Sequence, residues 1–250
     1  MLKEAIKFLQ QLSIKPDERF VDVVDANGQD RHFSVDEDGR AYEIKPFVSR
    51  AESALKVNTL TGLVEYIKAN LERNNQNLFL QVFDENNVVL KGVLDSEGER
   101  ESLVMAKAIV PSFGYDHYYD SEEMIIAFQS KFKQTKDRDL LLKVIGNIQE
   151  ENVRQTGDTG IAQAVTIKTG ISSADDVQVP NPVRLAPYRT FLEVEQPVSD
   201  FIFRMKEGPR GAIFEADGGA WRNQAIVNVR DYLKEELEKE VKDGRITIIA

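Results

Sequence analysis

The fold is decided by residues 161–221, which read IAQAVTIKTGISSADDVQVPNPVRLAPYRTFLEVEQPVSDFIFRMKEGPRGAIFEADGGAW. Apolar runs near 161–169, 187–196, 199–206 and 211–216 have the length and residue types of β-strands. Two prolines in Val179-Pro180-Asn181-Pro182 predict an extended crossover that pairs with no other strand. Residues 217–219, Asp-Gly-Gly, then predict a turn. The C-terminal part should therefore be a β-meander closed by a long amphipathic helix.

The rest of the chain alternates between strand and helix patterns. Apolar residues at helical spacing predict helices over 2–12, 60–71, 121–132 and 137–151, with Thr59 or Thr61 capping the second. Hairpins are predicted where Asn27-Gly28 and residues 84–87 separate apolar runs, and a further strand over 102–110. These elements predict an α+β protein with mixed or antiparallel sheets and packed helices. We divide it into an N-terminal α/β lobe (1–110) and a C-terminal lobe (111–250), packed as one unit, with a break at 155–160.

Composition restricts the classes of function. The 250 residues carry 32 Lys and Arg against 42 Asp and Glu, a net charge of −10. A negative chain repels phosphate backbones, so strong non-specific binding of nucleic acid is not expected. The chain has no cysteine, which excludes disulfides and thiolate metal sites. It also has no apolar run of the ~18 residues that a membrane span needs, so we expect a cytoplasmic protein with no membrane partner.

The densest aromatic cluster lies at residues 113–119 and supplies the first candidate binding residues. Tyr115, Tyr118 and Tyr119 surround His117 in this segment. Aromatic rings stack on bases and also anchor protein interfaces. Three roles therefore stay open for this segment: packing of a core, contact between subunits, and stacking on a ligand.

Arginines farther along the chain complete a hypothetical nucleotide site. Arg184, Arg189 and Arg222 could donate paired hydrogen bonds to phosphate, because the guanidinium group is a planar fork. Trp221 precedes Arg222 and is a further candidate contact. The alternative is that the tyrosines pack a core or an interface and that the arginines pair with acids.

Patterns that would indicate catalysis or metal binding are weak. Asp116, His117 and Asp120 lie close in sequence, but a helix cap and a solvated loop explain them better than a metal site. Glu193 and Glu195 alternate along a predicted strand, which favours a solvent-facing row over a catalytic carboxylate pair. We therefore expect no metal, no cofactor and no enzymatic activity.

The chain ends in an apolar segment with strand character. Ile246, Ile248 and Ile249 follow a charged helix. An unpaired apolar strand is a sticky edge unless it pairs within the chain or with a neighbour. These three residues are the candidate contacts of a homo-oligomer.

The order of the elements resembles that of the YfdQ-like family of phage and prophage proteins. The parts that carry the resemblance are a helical segment, a strand ending in a Thr-Gly turn, a crossover flanked by prolines, meander strands and a closing helix. Here they occupy residues 121–148, 164–170, 179–187, 190–205 and 225–237. The resemblance implies a phage or prophage gene product in the bacterial cytoplasm, and it provides no catalytic residue to transfer.

These observations lead to one expected function and two alternatives. The first is a non-enzymatic phage protein that acts through homo-oligomeric assembly or partner binding. The second is a counter-defence protein that sequesters a nucleotide immune signal. The third is an accessory factor for phage DNA recombination.

Overall fold

The computed structural model describes residues 19–24, 28, 30–36, 38–44, 50–72, 77–95, 98–146, 162–168, 174–206 and 210–250. The chain forms two compact units, Met1–Arg50 and Ala51–Ala250. Helices are combined with antiparallel and mixed sheets, so the predicted α+β class is confirmed. The predicted helix at 2–12 and the predicted break at 155–160 lie outside the described residues.

The first unit contains an antiparallel sheet of three strands in sequence order: β1 (Phe20–Val24), β2 (Asp30–Val35) and β3 (Ala41–Ile44). Gly28 lies between the first two strands with φ of +78°. Glycine adopts this left-handed conformation without the steric strain that other residues meet. The two antiparallel strands of the hairpin predicted around Asn27-Gly28 are thus confirmed.

The second unit contains the remaining elements. In chain order they are β4 (Leu55–Val57), α1 (Leu60–Ala69), β5 (Leu78–Asp84), β6 (Asn87–Leu94), β7 (Arg100–Lys107), β8 (Tyr119–Asp120), α2 (Ser121–Lys131), α3 (Lys136–Gly146), β9 (Ala162–Lys168), β10 (Ala174–Pro180), β11 (Val183–Leu185), β12 (Ser199–Lys206), β13 (Arg210–Glu215), α4 (Ala220–Glu236), α5 (Glu238–Lys242) and β14 (Ile246–Ile249).

A five-stranded mixed sheet has the order β14-β5-β6-β7-β4. The edge strand β14 pairs in parallel with β5, and the edge strand β4 pairs in parallel with β7. The two central pairs, β5 with β6 and β6 with β7, are antiparallel. Helices α1 and α4 cover one face, where α1 buries Leu60, Leu63, Val64 and Ile67 at helical spacing. Thr59 begins α1 by accepting a hydrogen bond from the Gly62 N–H at 3.1 Å, as its N-cap role predicts.

A four-stranded antiparallel sheet has the order β11-β12-β13-β8. Residues at alternate positions of β12, from Phe201 to Met205, point into a second apolar core with α2 and α3. Asp120 begins α2 by accepting a hydrogen bond from the Glu123 N–H at 2.8 Å. The helices predicted at 121–132 and 137–151 and the strands predicted at 199–206 and 211–216 are confirmed within the described residues. Strands β9 and β10 form a separate two-stranded antiparallel sheet.

Two predictions for the region 179–196 are wrong. The segment predicted as an unpaired crossover belongs partly to β10, whose Val179 and Pro180 pair with β9. Proline has no N–H to donate, but it is accepted at the end of a strand. Residues 187–196 form an irregular segment instead of a strand, because the Gln196 side chain bonds the backbone around it. Its amide nitrogen donates to the carbonyls of Phe191 (2.9 Å) and Val194 (3.3 Å).

The lobe boundary predicted at residue 110 falls inside the second unit. The core beneath the five-stranded sheet joins Leu60 and Leu90 from the first predicted lobe to Val229, Leu233 and Ile246 from the second. The C-terminal helix and strand complete a sheet that begins near residue 55, so the two halves share one core. Among the described residues, no helix is both long and apolar enough to cross a membrane.

Candidate ligand-binding site

A cavity of about 160 Å³ lies in the second unit where the irregular segment 187–196 meets the N-terminus of α4. We call it the Arg189 cavity. It combines aromatic rings, two cationic side chains and an amide, a composition typical of small-molecule sites. Its lining consists of Asn86, Val110, Pro111, Phe113, Tyr115, Lys131, Pro187, Tyr188, Arg189 and Trp221.

Arg189 is the central charged group of the cavity, and it is only 7% exposed. Its Nη1 donates to Glu215 Oε1 at 2.8 Å, and its Nη2 donates to Ser199 Oγ. Its backbone N–H donates to Gln196 Oε1 at 2.9 Å. Burial lowers the pKa of the guanidinium, while Tyr115 and Glu215 oppose that change. The ion pair and the irregular segment thus hold a buried cation in one position.

Aromatic rings surround this cation. The Arg189 guanidinium carbon lies 3.9 Å from the ring centroid of Trp221 and 5.6 Å from that of Phe201. These distances are within the range of cation–π attraction. Tyr115 stacks on Phe201 with centroids 5.6 Å apart and planes inclined by 15°. Burial raises the pKa of Tyr115 to about 12, although Arg189 acts in the opposite direction. Near neutral pH the tyrosine therefore keeps a neutral hydroxyl beside Arg189.

Three buried polar atoms of the lining have no hydrogen-bond partner among the described residues. They are Arg189 Nε, Trp221 Nε1 and Asn86 Oδ1. The first two are donors and the third is an acceptor. Leaving such an atom unpaired costs about 1–3 kcal/mol. The three atoms are themselves shielded from solvent, although the residues that carry them line the cavity.

Lys131 adds a second positive charge to the lining. Its Nζ donates to the Ser112 carbonyl at 2.6 Å, in an exposed position. Lysine has three N–H donors, so two remain after this bond. The acid nearest to the buried arginine is Glu215, which already forms the Arg189 ion pair. The lining therefore includes a second cation, in an exposed position.

The N-terminus of α4 is closed to anions. Asp217 accepts hydrogen bonds from the N–H groups of Gly219 (3.0 Å) and Trp221 (3.3 Å). Burial alone would raise the pKa of Asp217, but these bonds, a bond from Ser199 and the charge of Arg189 lower it instead. The helix terminus thus already holds a carboxylate of the chain, and Asp217-Gly218-Gly219 forms the turn that the sequence predicts.

The structure brings together three of the predicted contact residues: Tyr115, Arg189 and Trp221. Arg222 lies beside them, with its guanidinium carbon 4.9 Å from the Trp221 centroid and its Nε 3.5 Å from Glu85 Oε1. It does not line the cavity.

The other four predicted contact residues do not line this cavity. Tyr118 packs on Phe214, which points to the opposite face of β13 from the Arg189 partner Glu215. Tyr119 stacks on Phe113, and His117 meets Tyr119 edge-on. Arg184 is an exposed residue of β11 whose Nε lies 3.8 Å from Asp200. Consecutive residues of a strand point to opposite faces of the sheet, so residues that are close in sequence can lie on different faces.

Sequence reasoning missed Asn86, Lys131 and Tyr188 as lining residues and Gln196 as the organiser of the segment. None of them belongs to a recognisable motif. It also missed the role of Glu193, which caps α1: its Oε1 accepts from the N–H groups of Leu60 (2.8 Å) and Thr61 (3.2 Å). The predicted solvent-facing row of Glu193 and Glu195 is therefore wrong for Glu193.

The C-terminal tail pairs within the chain. Strand β14 lies parallel to β5, and Ile246 is 2% exposed while Ile248 packs against the same core. These two residues are therefore part of the core of their own chain and not the surface contacts that we predicted. Ile249 is 48% exposed on the other face of the sheet, in one cross-strand row with Gln81, Val89 and Met105.

Among the described residues, no group of three or more His, Asp or Glu side chains is arranged to hold a metal ion. Comparison with protein-family models, curated proteins and solved structures found no match to this chain in any of the three.

Proposed function

We propose that this protein acts by binding a small polar ligand in the Arg189 cavity and carries out no chemistry on it. The observation that carries the proposal is the cavity of about 160 Å³, whose lining combines aromatic rings with the side chains of Asn86, Lys131 and Arg189. Aromatic walls with a few polar and charged groups are typical of sites that bind small molecules.

The chemistry of the site favours binding over catalysis. Arg189 is committed to Glu215 and Ser199, and the raised pKa of Tyr115 keeps its hydroxyl protonated. A general base needs a pKa near the working pH, and neither group satisfies that condition. Binding of a small molecule belongs to the second function expected from the sequence, the sequestration of a nucleotide signal, and not to the first.

Released small molecules would test the proposal. Purified protein is incubated with a bacterial metabolite extract, washed and denatured, and the released compounds are identified by mass spectrometry. Asn86→Ala removes an amide side chain from the lining and keeps the backbone bonds that Asn86 makes to Asp84 (2.7 Å) and Ala108 (2.9 Å). Arg184→Gln changes an arginine outside the cavity and is the matched control. We expect one compound to be enriched by the wild type and the control and lost in Asn86→Ala. Identical compounds from all three proteins would contradict a ligand in this cavity.

Self-association is a second candidate function, and the open edge of β14 favours it. Among the described residues, β14 pairs only with β5, so its other edge carries unpaired backbone groups. Two copies pairing edge to edge about a two-fold axis would join their sheets and cover Ile249. The phage origin, the counter-defence role and the role in recombination stay predictions.

Light scattering over a range of concentrations would test self-association. Ile249→Lys places a charge beside the open edge, and Leu192→Lys makes the same change at another exposed apolar residue (67%). We expect a wild-type dimer that only Ile249→Lys dissociates. A monomeric wild type at about 100 μM, where a contact of micromolar affinity must show, would refute this candidate.

A further inference from the structure

The outer face of the four-stranded sheet carries a group of positive side chains. Residues alternate along a strand, so Arg204 and Lys206 of β12 point away from the core that Phe203 and Met205 enter. Arg210 of β13 lies directly opposite Lys206 in the register and therefore shares the outer face. Lys206 and Arg210 are exposed, and Arg204 is half-buried. We call these three cations the basic face.

The charges of the basic face are not balanced within the described part of the chain. Arg204 Nη1 donates to the Phe203 carbonyl at 3.4 Å, and Lys206 Nζ lies 3.7 Å from the centroid of the Tyr118 ring. Among the residues that the structure describes, neither these two cations nor Arg210 forms an ion pair. Like charges directly opposite each other destabilise a sheet, so the cross-strand pairing of Lys206 with Arg210 is unfavourable for the fold alone.

Two acids of the same sheet have other partners. Asp120 of β8 is opposite Arg210 in the register, but its Oδ1 accepts a hydrogen bond from the Glu123 N–H at the beginning of α2. Asp200 of β12 lies 3.8 Å from the Nε of Arg184. The basic face therefore keeps its positive charge, although the chain as a whole has a net charge of −10. Such a face is suited to an anion from outside the chain.

The spacing of the cations and the rings beside them indicate which anion fits. Arg204 and Lys206 are about 6.8 Å apart along β12, and such a row suits a ligand with regularly repeated negative charges, as in a nucleic-acid backbone. Tyr118 and Phe214 are half-buried on the same face and meet edge-on. Single-stranded nucleic acid is bound by cations that contact its backbone together with aromatic side chains that stack on its bases. A duplex keeps its bases stacked inside, so the rings favour a single strand.

We infer that the basic face binds single-stranded nucleic acid. Arg204, Lys206 and Arg210 contact phosphates of the backbone, and the rings of Tyr118 and Phe214 contact the bases. The ligand supplies the negative charge that the opposed cations of the sheet lack. An acidic protein would supply charge as well, but it would leave the two rings without a planar partner.

The acidity of the whole chain limits the strength of this binding. Repulsion between exposed charges is screened over about 10 Å at 0.1 M salt, so it opposes the approach of the strand more than the direct contacts. Binding should therefore be weak and sensitive to salt, in agreement with the absence of strong non-specific binding expected from the sequence. The inference goes beyond the proposed function, because Glu215, the partner of Arg189, points to the other face of the sheet.

Fluorescence anisotropy with labelled probes tests the inference on the full chain. The probes are an oligothymidylate of about 20 nucleotides, which exceeds the usual length of a single-strand site, and a duplex and a polyglutamate of the same length. We expect the single strand to bind with a dissociation constant on the order of 10 μM at about 50 mM salt. The logarithm of the binding constant should fall with the logarithm of the salt concentration at a slope of about −2, because three phosphate contacts contribute about 0.7 each. The duplex and the polyglutamate should bind at least about 5-fold more weakly, since they offer no unstacked bases.

Two variants separate the charge from the rings. Arg210→Gln removes one phosphate contact, so it should weaken binding by about 5-fold and reduce the magnitude of the slope by about 0.7. Phe214→Leu removes a ring and no charge, so it should weaken binding by about 5-fold and leave the slope unchanged. Lys68→Gln is the matched control, because Lys68 belongs to α1 and pairs with Glu236 at 3.0 Å. Arg210 forms no ion pair among the described residues, so Arg210→Gln should not lower the urea midpoint of unfolding. A lowered midpoint would show that Arg210 is structural and would contradict its assignment as a phosphate contact.

The other outcomes decide between ligands. Equal binding of the duplex would refute the single strand, and equal binding of polyglutamate would refute nucleic acid as the ligand. No binding at low salt, or equal losses in Arg210→Gln and Lys68→Gln, would overturn the basic face as the site. A second copy of this acidic chain is the competing occupant. A dimer in light scattering that salt and Arg210→Gln both dissociate, without binding of the oligothymidylate, would replace the nucleic acid by that copy. The released-compound experiment tests the Arg189 cavity separately, so the two proposals can fail independently.

Discussion

Replacing Glu193 should destabilise helix α1 from a position 133 residues away in the chain. The Glu193 carboxylate accepts hydrogen bonds from the N–H groups of Leu60 at 2.8 Å and Thr61 at 3.2 Å. Thr59 accepts from the next free N–H, that of Gly62. The first N–H groups of a helix have no partner within the helix. Glu193 and Thr59 together accept hydrogen bonds from the first three N–H groups of α1.

The magnitude follows from the burial of these groups. Leu60 is completely buried, so its N–H cannot turn to solvent when the carboxylate is removed. An unpaired buried donor costs about 1–3 kcal/mol, and the loss of a negative charge at a helix N-terminus costs about 0.3–1 kcal/mol. Glu193→Ala should therefore lower the free energy of unfolding by about 2 kcal/mol. Glu193→Gln keeps an acceptor oxygen and should lose only the smaller contribution.

Urea unfolding followed by Trp221 fluorescence measures this effect in the second unit, which contains the only tryptophan. With a slope of about 2 kcal/mol/M, Glu193→Ala should lower the unfolding midpoint by about 1 M. Glu195→Ala is the control, since Glu195 forms an exposed ion pair with Lys133. Such pairs contribute about 0–1 kcal/mol. Equal destabilisation by the two alanine variants would refute the capping role of Glu193.

Three further predictions concern the tail and two titrating groups. Ile246→Ala should lower the free energy of unfolding by about 2–5 kcal/mol, because Ile246 is only 2% exposed. Ile249 is half-exposed, so Ile249→Ala should cost much less, and urea unfolding of the two variants measures the difference. Burial raises the pKa of Tyr115 from 10.0 to about 12, so its contribution to stability is present below pH 10 and is lost as the pH rises towards 12. Tyr115→Phe should therefore lose less stability than the wild type between pH 10 and about 12, and an equal loss in the two proteins would contradict this. Hydrogen bonding to Asp22, and then its charge, raises the pKa of His32 above 6.5, so the pair stabilises the first unit below pH 6.5 and loses that effect as the pH passes the folded pKa; an NMR titration should show the His32 midpoint falling in Asp22→Asn.

Most helices and strands could be predicted because their signals are local. The spacing of Leu60, Leu63, Val64 and Ile67 marks the buried face of α1, and the alternation from Phe201 to Met205 marks β12. The irregular segment around Arg189 was predicted as a strand because its apolar residues have strand propensity. The Gln196 side chain outweighs that propensity because it forms hydrogen bonds with four backbone positions, those of Arg189, Thr190, Phe191 and Val194.

The candidate site was predictable only in part. Tyr115, Arg189 and Trp221 were recognised from residue type, since aromatic rings and arginines suit nucleotide ligands. Asn86 and Lys131 were not, because an amide in a hairpin turn and a lysine at a helix end are ordinary surface residues in a sequence.

The sequence by itself determined the α+β class, the positions of most elements and the residue types from which a binding site could be built. Tertiary structure decided which of those residues meet. Hydrophobic periodicity and turn preferences depend on residues that are close in sequence, so they can be recognised from the sequence alone. The contacts of Arg189 with Glu215 and Trp221, and the cap that Glu193 places on Leu60, join distant segments. Only the packing of the two sheets and their helices brings such groups within bonding distance.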